Sequence, residues 1–332
     1  MLYDRELAAA ARAAGIPTYV IGEEKTLDVS APWRLVRAIH RNGYSVVHAH
    51  GYKATTFCGM ARCVKRFALV KTEHGLPETG LGSRRERWLS GLYRAAERLA
   101  MRLARGHVVF VTRELQQTRA TDYAGLKSRV IYNGIDVTYI QGLVRPPEFV
   151  QSKFNVVVVG RLEPVKGVEF AVHAMTHPAV PAHVRFHVLG DGPLRAQLRA
   201  LTDTLSLGER VHFYGFRHDA VAFIAHADVL LIPSLHEGLP YTLLEAIAAG
   251  TPVVASEVGG LREVLKHELT ALLVPPGSSS ALANSINRLV ADAALGESLA
   301  ASARHLLKEF SAQGMADAYW RAYVEAGRSL DG

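Results

Sequence analysis

The sequence predicts an α/β protein built from two doubly wound domains that face one another across a cleft. Short Val/Ile/Leu-rich runs recur along all 332 residues, and amphipathic stretches separate them. That is the pattern of parallel strands covered by helices on both faces. The series is interrupted at "GLVRPPEFVQSKF" (142–154), where a Pro-Pro pair among polar residues reads as a linker. A chain of this length that is 49% hydrophobic can bury a large core, and it divides more readily into two domains than one.

In the first half, strands are expected at "TYVI" (18–21), "SVVHAH" (45–50), "ALVKTEH" (68–74), "HVVFVT" (107–112) and "RVIYN" (129–133). In the second half they are expected at "NVVVVGR" (155–161), "VRFHVLG" (184–190), "VHFYGF" (211–216), "VLLIPS" (229–234), "PVVAS" (252–256) and "ALLVP" (271–275). Amphipathic stretches at 194–205 and 280–307 supply covering helices. The domains then read 1–140, a linker at 141–154, 155–312, and a C-terminal helix over 313–332 that crosses back.

No apolar run approaches the ~18 residues that span a bilayer. The opening "MLYDRELAAAARAAG" carries acids and lacks the apolar middle of a secretory signal, so a cytoplasmic protein is expected. Cys58 and Cys63, five apart in an expected helix, suit neither a disulfide framework nor a zinc site. Charge is uneven. Residues 1–150 hold 23 Lys and Arg against 13 acids, net +10, while 151–332 hold 15 against 18, net −3. The first half therefore favours partners bearing phosphate or anionic lipid.

In open parallel sheets, ligands bind outside the carboxyl ends of the strands. His48, His50, Glu73, His74, Arg161, Asp191 and Glu237 all fall there. In "VVVVGRLEPVKG" (156–167) Arg161 and Lys166 follow a buried strand, which suits either a phosphate site or a solvated basic loop. "VLGDGP" (188–193) is half of a dinucleotide fingerprint and equally a tight strand-to-helix turn. "HEGLPYTLLEAIAAGTPVVAS" (236–256) places Glu237 near a helix start, Pro240 at its first position and Gly250 at its stop. Glu245 is not explained by helix formation, because Leu243, Leu244, Ala246 and Ile247 around it read as buried. It stands about 7.5 Å up the helix from Pro240, within reach of a ligand across the N-terminus. The segment alone supports either a plain helix start or a ligand site.

Taken in order, "VGRLEPVKG", "LGDGP", "HEGLPYTLLEAIAAGTPVVAS" and "VGGLREVL" closely resemble the retaining glycosyltransferases of family four, which have the GT-B fold. In the first half, "VVHAHGYKA" (46–54), "KTEHG" (71–75) and "VIYNGID" (130–136) agree. The resemblance covers nearly the whole chain from about residue 5. It implies a transferase moving a hexose from a nucleoside diphosphate sugar, commonly linked to uridine diphosphate, to a saccharide or lipid-linked acceptor. Exopolysaccharide, capsule or cell-envelope glycan synthesis is the implied setting.

On matching positions, the resemblance implies that Arg161 and Lys166 bind the diphosphate. Glu237 would lie at the sugar with the amides of Gly238 and Leu239, and Glu245 would bond the ribose. His74 would stand beside the reacting carbon, and His50, Tyr52 and Lys53 would line the acceptor side. Cations and a helix dipole opposite the diphosphate do without a metal, and no DxD-type carboxylates or cofactor are expected. His48 and His50 lack a third ligand nearby and are not read as a metal site.

The helix expected over 83–107 carries an apolar stripe of Leu89, Leu92, Ala96, Leu99 and Leu103. Arg87, Arg94, Arg98, Arg102 and Arg105 lie on the far side. The stripe either packs the helix on its own sheet or serves an anionic membrane, and the +10 half favours a peripheral enzyme. Relatives begin with a strand, a Gly-Gly loop, a helix and a second strand. This sequence starts at about the following helix, "YDRELAAAARAAG" (3–15), so the first strands are expected to be missing. The alternative function is therefore a non-catalytic homologue serving as a partner or regulatory subunit. A nucleic-acid binder lacks any aromatic-basic signature, and a sugar-nucleotide epimerase lacks support from the glutamate spacing.

Overall fold

The computed structural model describes residues 6–19, 21, 30–75 and 84–328, with only the backbone at 6–7, 84–87 and 89–90. It divides into two compact units. One holds the residues up to Val111, Gln116–Ile131 and Asp317 onward; the other holds Thr112–Leu115 and Tyr132–Ala316.

The first unit is built on four parallel strands: β1 (Val46–His50), β2 (Ala68–Glu73), β3 (His107–Phe110) and β4 (Ser128–Val130), in the order β1-β2-β3-β4. Its helices are α1 (Glu6–Ala13), α2 (Ala31–Asn42), α3 (Tyr52–Arg62), α4 (Arg84–Ala104) and the second half of α5 (Arg113–Thr118). The strand expected at 18–21 is not formed at Thr18, Tyr19 and Ile21, and Val20 lies outside the described residues. An apolar run becomes a strand only where a neighbour takes up its backbone groups. β1 pairs with β2 alone among the described residues, and Tyr19 is left 43% exposed.

β2 is buried along its whole length although it carries Lys71 and Glu73. Lys71 is 1% exposed, and its Nζ contacts Glu73, the Tyr123 hydroxyl and, from α4, Glu97. Arg119 closes the cluster, 3.4 Å from Glu73. A buried ammonium without a carboxylate is costly, so α4 turns Glu97, Met101 and Ala104 inward. The leucines do not pack the helix on its sheet. Leu92, Leu99 and Leu103 stand 49%, 57% and 70% exposed, while Ala96 is half-buried. The side chains of Arg87 and Leu89, and Ser83 altogether, lie outside the described residues.

The second unit carries six parallel strands: β5 (Phe154–Val159), β6 (Val184–Leu189), β7 (Val211–Gly215), β8 (Val229–Ile232), β9 (Val253–Ser256) and β10 (Leu272–Val274). Their order is β10-β9-β8-β5-β6-β7. Period-two alternation sends Val156 and Val158 into one core and Val157 into the other, so both faces are covered. The helices are α6 (Val168–Ala174), α7 (Arg195–Thr204), α8 (Ala220–His226), α9 (Tyr241–Ala249), α10 (Gly259–Val264), α11 (Ser279–Ala291) and α12 (Ala293–Ala303). Asp292 divides the stretch expected at 280–307, ending α11 and capping α12 through Leu295 N–H at 3.1 Å. Within 142–154, Phe149 is buried, 4.7 Å from the His187 ring and 5.3 Å from Phe223. The last helix, α13 (Ala312–Arg328), begins in the second unit, and from Asp317 it belongs to the first. No described helix is long and apolar enough to cross a membrane.

Candidate active site at the strand ends

In the second unit the chain winds outward from β5 in both directions, to β6 and β7 on one side and to β8 on the other. That reversal opens a crevice at the carboxyl ends of β5 and β8. Arg161 and Lys166 follow β5, and Glu237 follows β8. The two segments meet: Lys166 Nζ donates to both carboxylate oxygens of Glu237, at 2.8 and 2.9 Å. Glu237 is 8% exposed, whereas the Lys166 side chain is 30% exposed. Arg161 reaches solvent and pairs with the buried Glu163.

Two glycines hold the Glu237 backbone in place. A Cβ on Gly259, at φ +49°, would sit 1.8 Å from the Glu237 carbonyl oxygen, and one on Gly260 would sit 2.3 Å from that of Gly238. With neither Cβ present, Gly260 N–H donates to Glu237 O at 3.1 Å. These belong to the "VGGL" motif, and sequence reasoning gave them no role.

Leu239 is buried, and its carbonyl accepts from Asn133 Nδ2 at 2.6 Å. Pro240 stands at the start of α9 and offers no side-chain acceptor to the first amides of the helix. Those amides and the helix dipole favour an anion. Glu245 Oε1 accepts from the Tyr139 hydroxyl at 3.1 Å, and burial holds its carboxyl above the usual range. Tyr139 was missed in the sequence, as was His236. The His236 Nε2 is buried and has no hydrogen-bond partner among the described residues. Asp191 is satisfied within its own turn, by Gly192 N–H and by Arg195, both at 2.8 Å. "LGDGP" is thus a tight turn locked onto "RLEP" by Leu162 N–H to Asp191 O at 2.9 Å.

In the first unit, β1 ends at His50 and β2 is followed by His74. His50 Nδ1 and His74 Nε2 share a hydrogen bond of 2.8 Å. His48 lies 4.2 Å from the His50 ring by centroid. Its own nitrogens bond Thr72 and the Tyr323 hydroxyl, each at 2.8 Å. Desolvation first, and then the neighbouring rings, lower His48 to about 3 and, with His74, His50 to about 4. Desolvation also lowers His74. All three rings are neutral at physiological pH. Tyr52 and Lys53 open α3 just after Gly51, with Tyr52 5.7 Å from the Tyr93 ring. Among the described residues no group of three or more His, Cys, Asp or Glu could hold a metal ion.

Comparison with known families agrees with this architecture. Residues 153–292 match a family model described as "Glycosyl transferases group 1", and 3–139 match "Glycosyltransferase Family 4". The chain belongs to the family-4-like glycosyltransferases of GT-B fold. It is 38% identical over 167 residues to a lipopolysaccharide core biosynthesis glycosyltransferase, LpsD, of Rhizobium meliloti, covering 50% of this chain and 48% of the relative. The chain spans less than half the length of the curated relatives that match it at 30% identity or more. Over 301 residues it is 25% identical to the Escherichia coli UDP-Gal:alpha-D-GlcNAc-diphosphoundecaprenol alpha-1,3-galactosyltransferase, covering 86% of this chain and 76% of that one. Among solved structures, Anabaena HepE in complex with UDP superposes with a TM-score of 0.81 at 23% identity, covering 98% of this glycosyltransferase and 90% of HepE.

Proposed function

We propose that this family member transfers a hexosyl group from a nucleoside diphosphate sugar, preferentially a uridine diphosphate sugar, to a saccharide or lipid-linked acceptor. Anomeric configuration is retained, and the product enters exopolysaccharide, capsule or cell-envelope glycan. The observation that carries the reading is the Lys166–Glu237 pair beside the start of α9, at the reversal point of the β5–β8 sheet. Breaking the sugar–phosphate bond leaves negative charge on the diphosphate. Preorganised cations and amides lower that transition state more than the ground state.

Lys166, Arg161 and the α9 dipole supply this charge without a metal ion. Glu237 and the amides of Gly238 and Leu239 bind the sugar, and Glu245 binds the ribose. His74 stands beside the reacting carbon, and His50, Tyr52 and Lys53 receive the acceptor. The acceptor oxygen bonds to carbon on the face the diphosphate leaves, and its proton passes to the departing phosphate oxygen. The UDP-galactose donor of the Escherichia coli relative and the nucleotide in HepE support the donor class. The surplus charge of the first half supports a setting on the cytoplasmic face of an anionic membrane, through 83–107, and no nucleic-acid partner is proposed, since the sequence carries no aromatic-basic signature.

Thermal shifts against uridine, guanosine and adenosine diphosphates test the donor. A ligand at a hundred times its Kd adds ~2.7 kcal/mol of stability. Transfer from the matching sugar nucleotide in the presence of EDTA tests the chemistry. A chain that binds none of the three and transfers nothing is the non-catalytic partner subunit instead.

A further inference from the structure

At the amino-terminal edge of the β1–β4 sheet, opposite the strand ends that carry His50 and His74, lies a cavity of about 880 Å³. Arg62, Arg66, Arg102, Arg105 and Lys127 line it together with Leu103, and no carboxylate does. Part of this charge has a local purpose. Arg62 and Arg102 stand in the last turns of α3 and α4, where cations suit the helix dipoles, and Arg62 Nε bonds Phe67 O at 2.8 Å. Lys127 shares Glu325 with Arg129. Among the described residues, no carboxylate pairs with Arg102 or Arg105. Arg105 also sits at φ +45°, the left-handed position that ends many helices and that glycine takes without penalty. An arginine is held there regardless, and it lines the cavity.

The apolar surroundings decide between anions. Leu103, 70% exposed, lines the cavity itself, and Leu99 lies one turn away on the same helix face. Val64, between Arg62 and Arg66, and Met60 on α3 are 57% and 52% exposed. Gly59 packs against Ala100, which brings these α3 residues alongside the α4 leucines. A free phosphate or a nucleic acid gives such side chains nothing to bury in. The boundary between headgroups and acyl chains does.

We infer that this cavity binds the phosphate of an anionic lipid headgroup while Leu99, Leu103, Val64 and Met60 seat in the bilayer interface. The inference rests on the proposed membrane setting and sharpens it to one site; it is independent of the donor chemistry.

The test is flotation of the full chain with phosphatidylcholine vesicles, with and without phosphatidylglycerol. The protein floats only with the anionic vesicles. Arg102→Ala/Arg105→Ala lowers partition about thirtyfold, and Leu99→Asp/Leu103→Asp lowers it comparably. A charge-matched control on the second unit, Lys266→Ala/Lys308→Ala, floats like the parent. Circular dichroism establishes that each variant is folded. Flotation unchanged by both first-unit pairs overturns the proposal, as does an equal loss in the control. Displacement by inorganic pyrophosphate or poly(U), with the leucine pair silent, assigns the cavity to soluble phosphate and overturns it too. Uridine diphosphate thermal shifts run in parallel separate the two readings. A variant that keeps the shift but no longer floats bears on the membrane site alone, and a parent that floats but shows no shift bears on the donor alone.

Discussion

Lys166 and Glu237 form a two-point ion pair, one ammonium held at 2.8 and 2.9 Å from both oxygens of a nearly buried carboxylate. The lysine is therefore aimed before any donor arrives, which is what preorganised charge requires. Lys166→Ala is expected to lower turnover by ~10²–10³. It also leaves Glu237 without its cation, at about 1–3 kcal/mol of stability. A Lys166→Met/Glu237→Gln double variant recovers much of the stability and none of the turnover. Melting curves and kcat on the same preparations check both halves, and near-normal transfer by Lys166→Ala rejects the assignment.

Arg161 stands apart from that pair, mostly exposed and engaged with Glu163. Its guanidinium can swing to a diphosphate without leaving solvent. Arg161→Ala should therefore lower turnover by ~10². It costs some stability through the buried Glu163 it leaves behind, less than Lys166→Ala because the guanidinium of this pair is mostly exposed. A large loss of stability with normal turnover would reverse the reading.

Glu245 is held by Tyr139, a residue outside every quoted motif. Glu245→Ala should weaken donor binding about tenfold or more, the scale of a hydrogen bond to a charged group. Tyr139→Phe, which frees the carboxylate without removing it, should weaken binding less. Calorimetric Kd values for a nucleoside diphosphate decide, and an unchanged Kd in Glu245→Ala removes the ribose assignment.

Why Tyr139 and the orientation of α4 were not legible in the sequence has a physical answer. Strands β5, β8, β9 and β10 are buried, largely aliphatic runs whose identity follows from local composition, and the catalytic candidates follow β5 and β8. The spacing of Glu237 and Glu245 was likewise legible, because a short Gly-Leu-Pro corner joins Glu237 to α9, which carries Glu245. The orientation of α4 was not local information. Lys71 lies inside an apolar strand, and its need for Glu97 outweighs the pull of Leu92, Leu99 and Leu103 toward the core. The run at 18–21 failed for the complementary reason, since a strand is a property of a pair and not of a segment.

His50 and His74 share one hydrogen bond of 2.8 Å, so one ring donates and the other accepts. That fixes which nitrogen of His74 remains for a substrate. His50→Ala is expected to lower kcat about fivefold to tenfold, the worth of one such bond, with donor Kd little changed. His50→Gln, which keeps a polar partner within reach, should restore part of the loss. Equal losses in both variants would mean that His50 acts only by receiving the acceptor and lends nothing to His74.

Acid should unfold this protein through its buried histidines. His187 is 1% exposed, with Asn155 Oδ1 at 3.1 Å and the Tyr214 hydroxyl at 3.0 Å. Desolvation, then the charges of His212 and Arg185, lower it from 6.5 to about 3. A depressed histidine is neutral when folded, so below pH 6.5 the unfolded chain binds the extra proton. Its contribution is complete above 6.5 and is lost as pH falls toward about 3. Each such histidine adds up to one proton to the slope, ~1.4 kcal/mol per pH unit. His187→Gln keeps a polar group between Asn155 and Tyr214 and should flatten the acid limb by that amount. Urea midpoints measured across this window test it, and an acid limb as steep as the parent's would show that His187 is not among the groups that titrate.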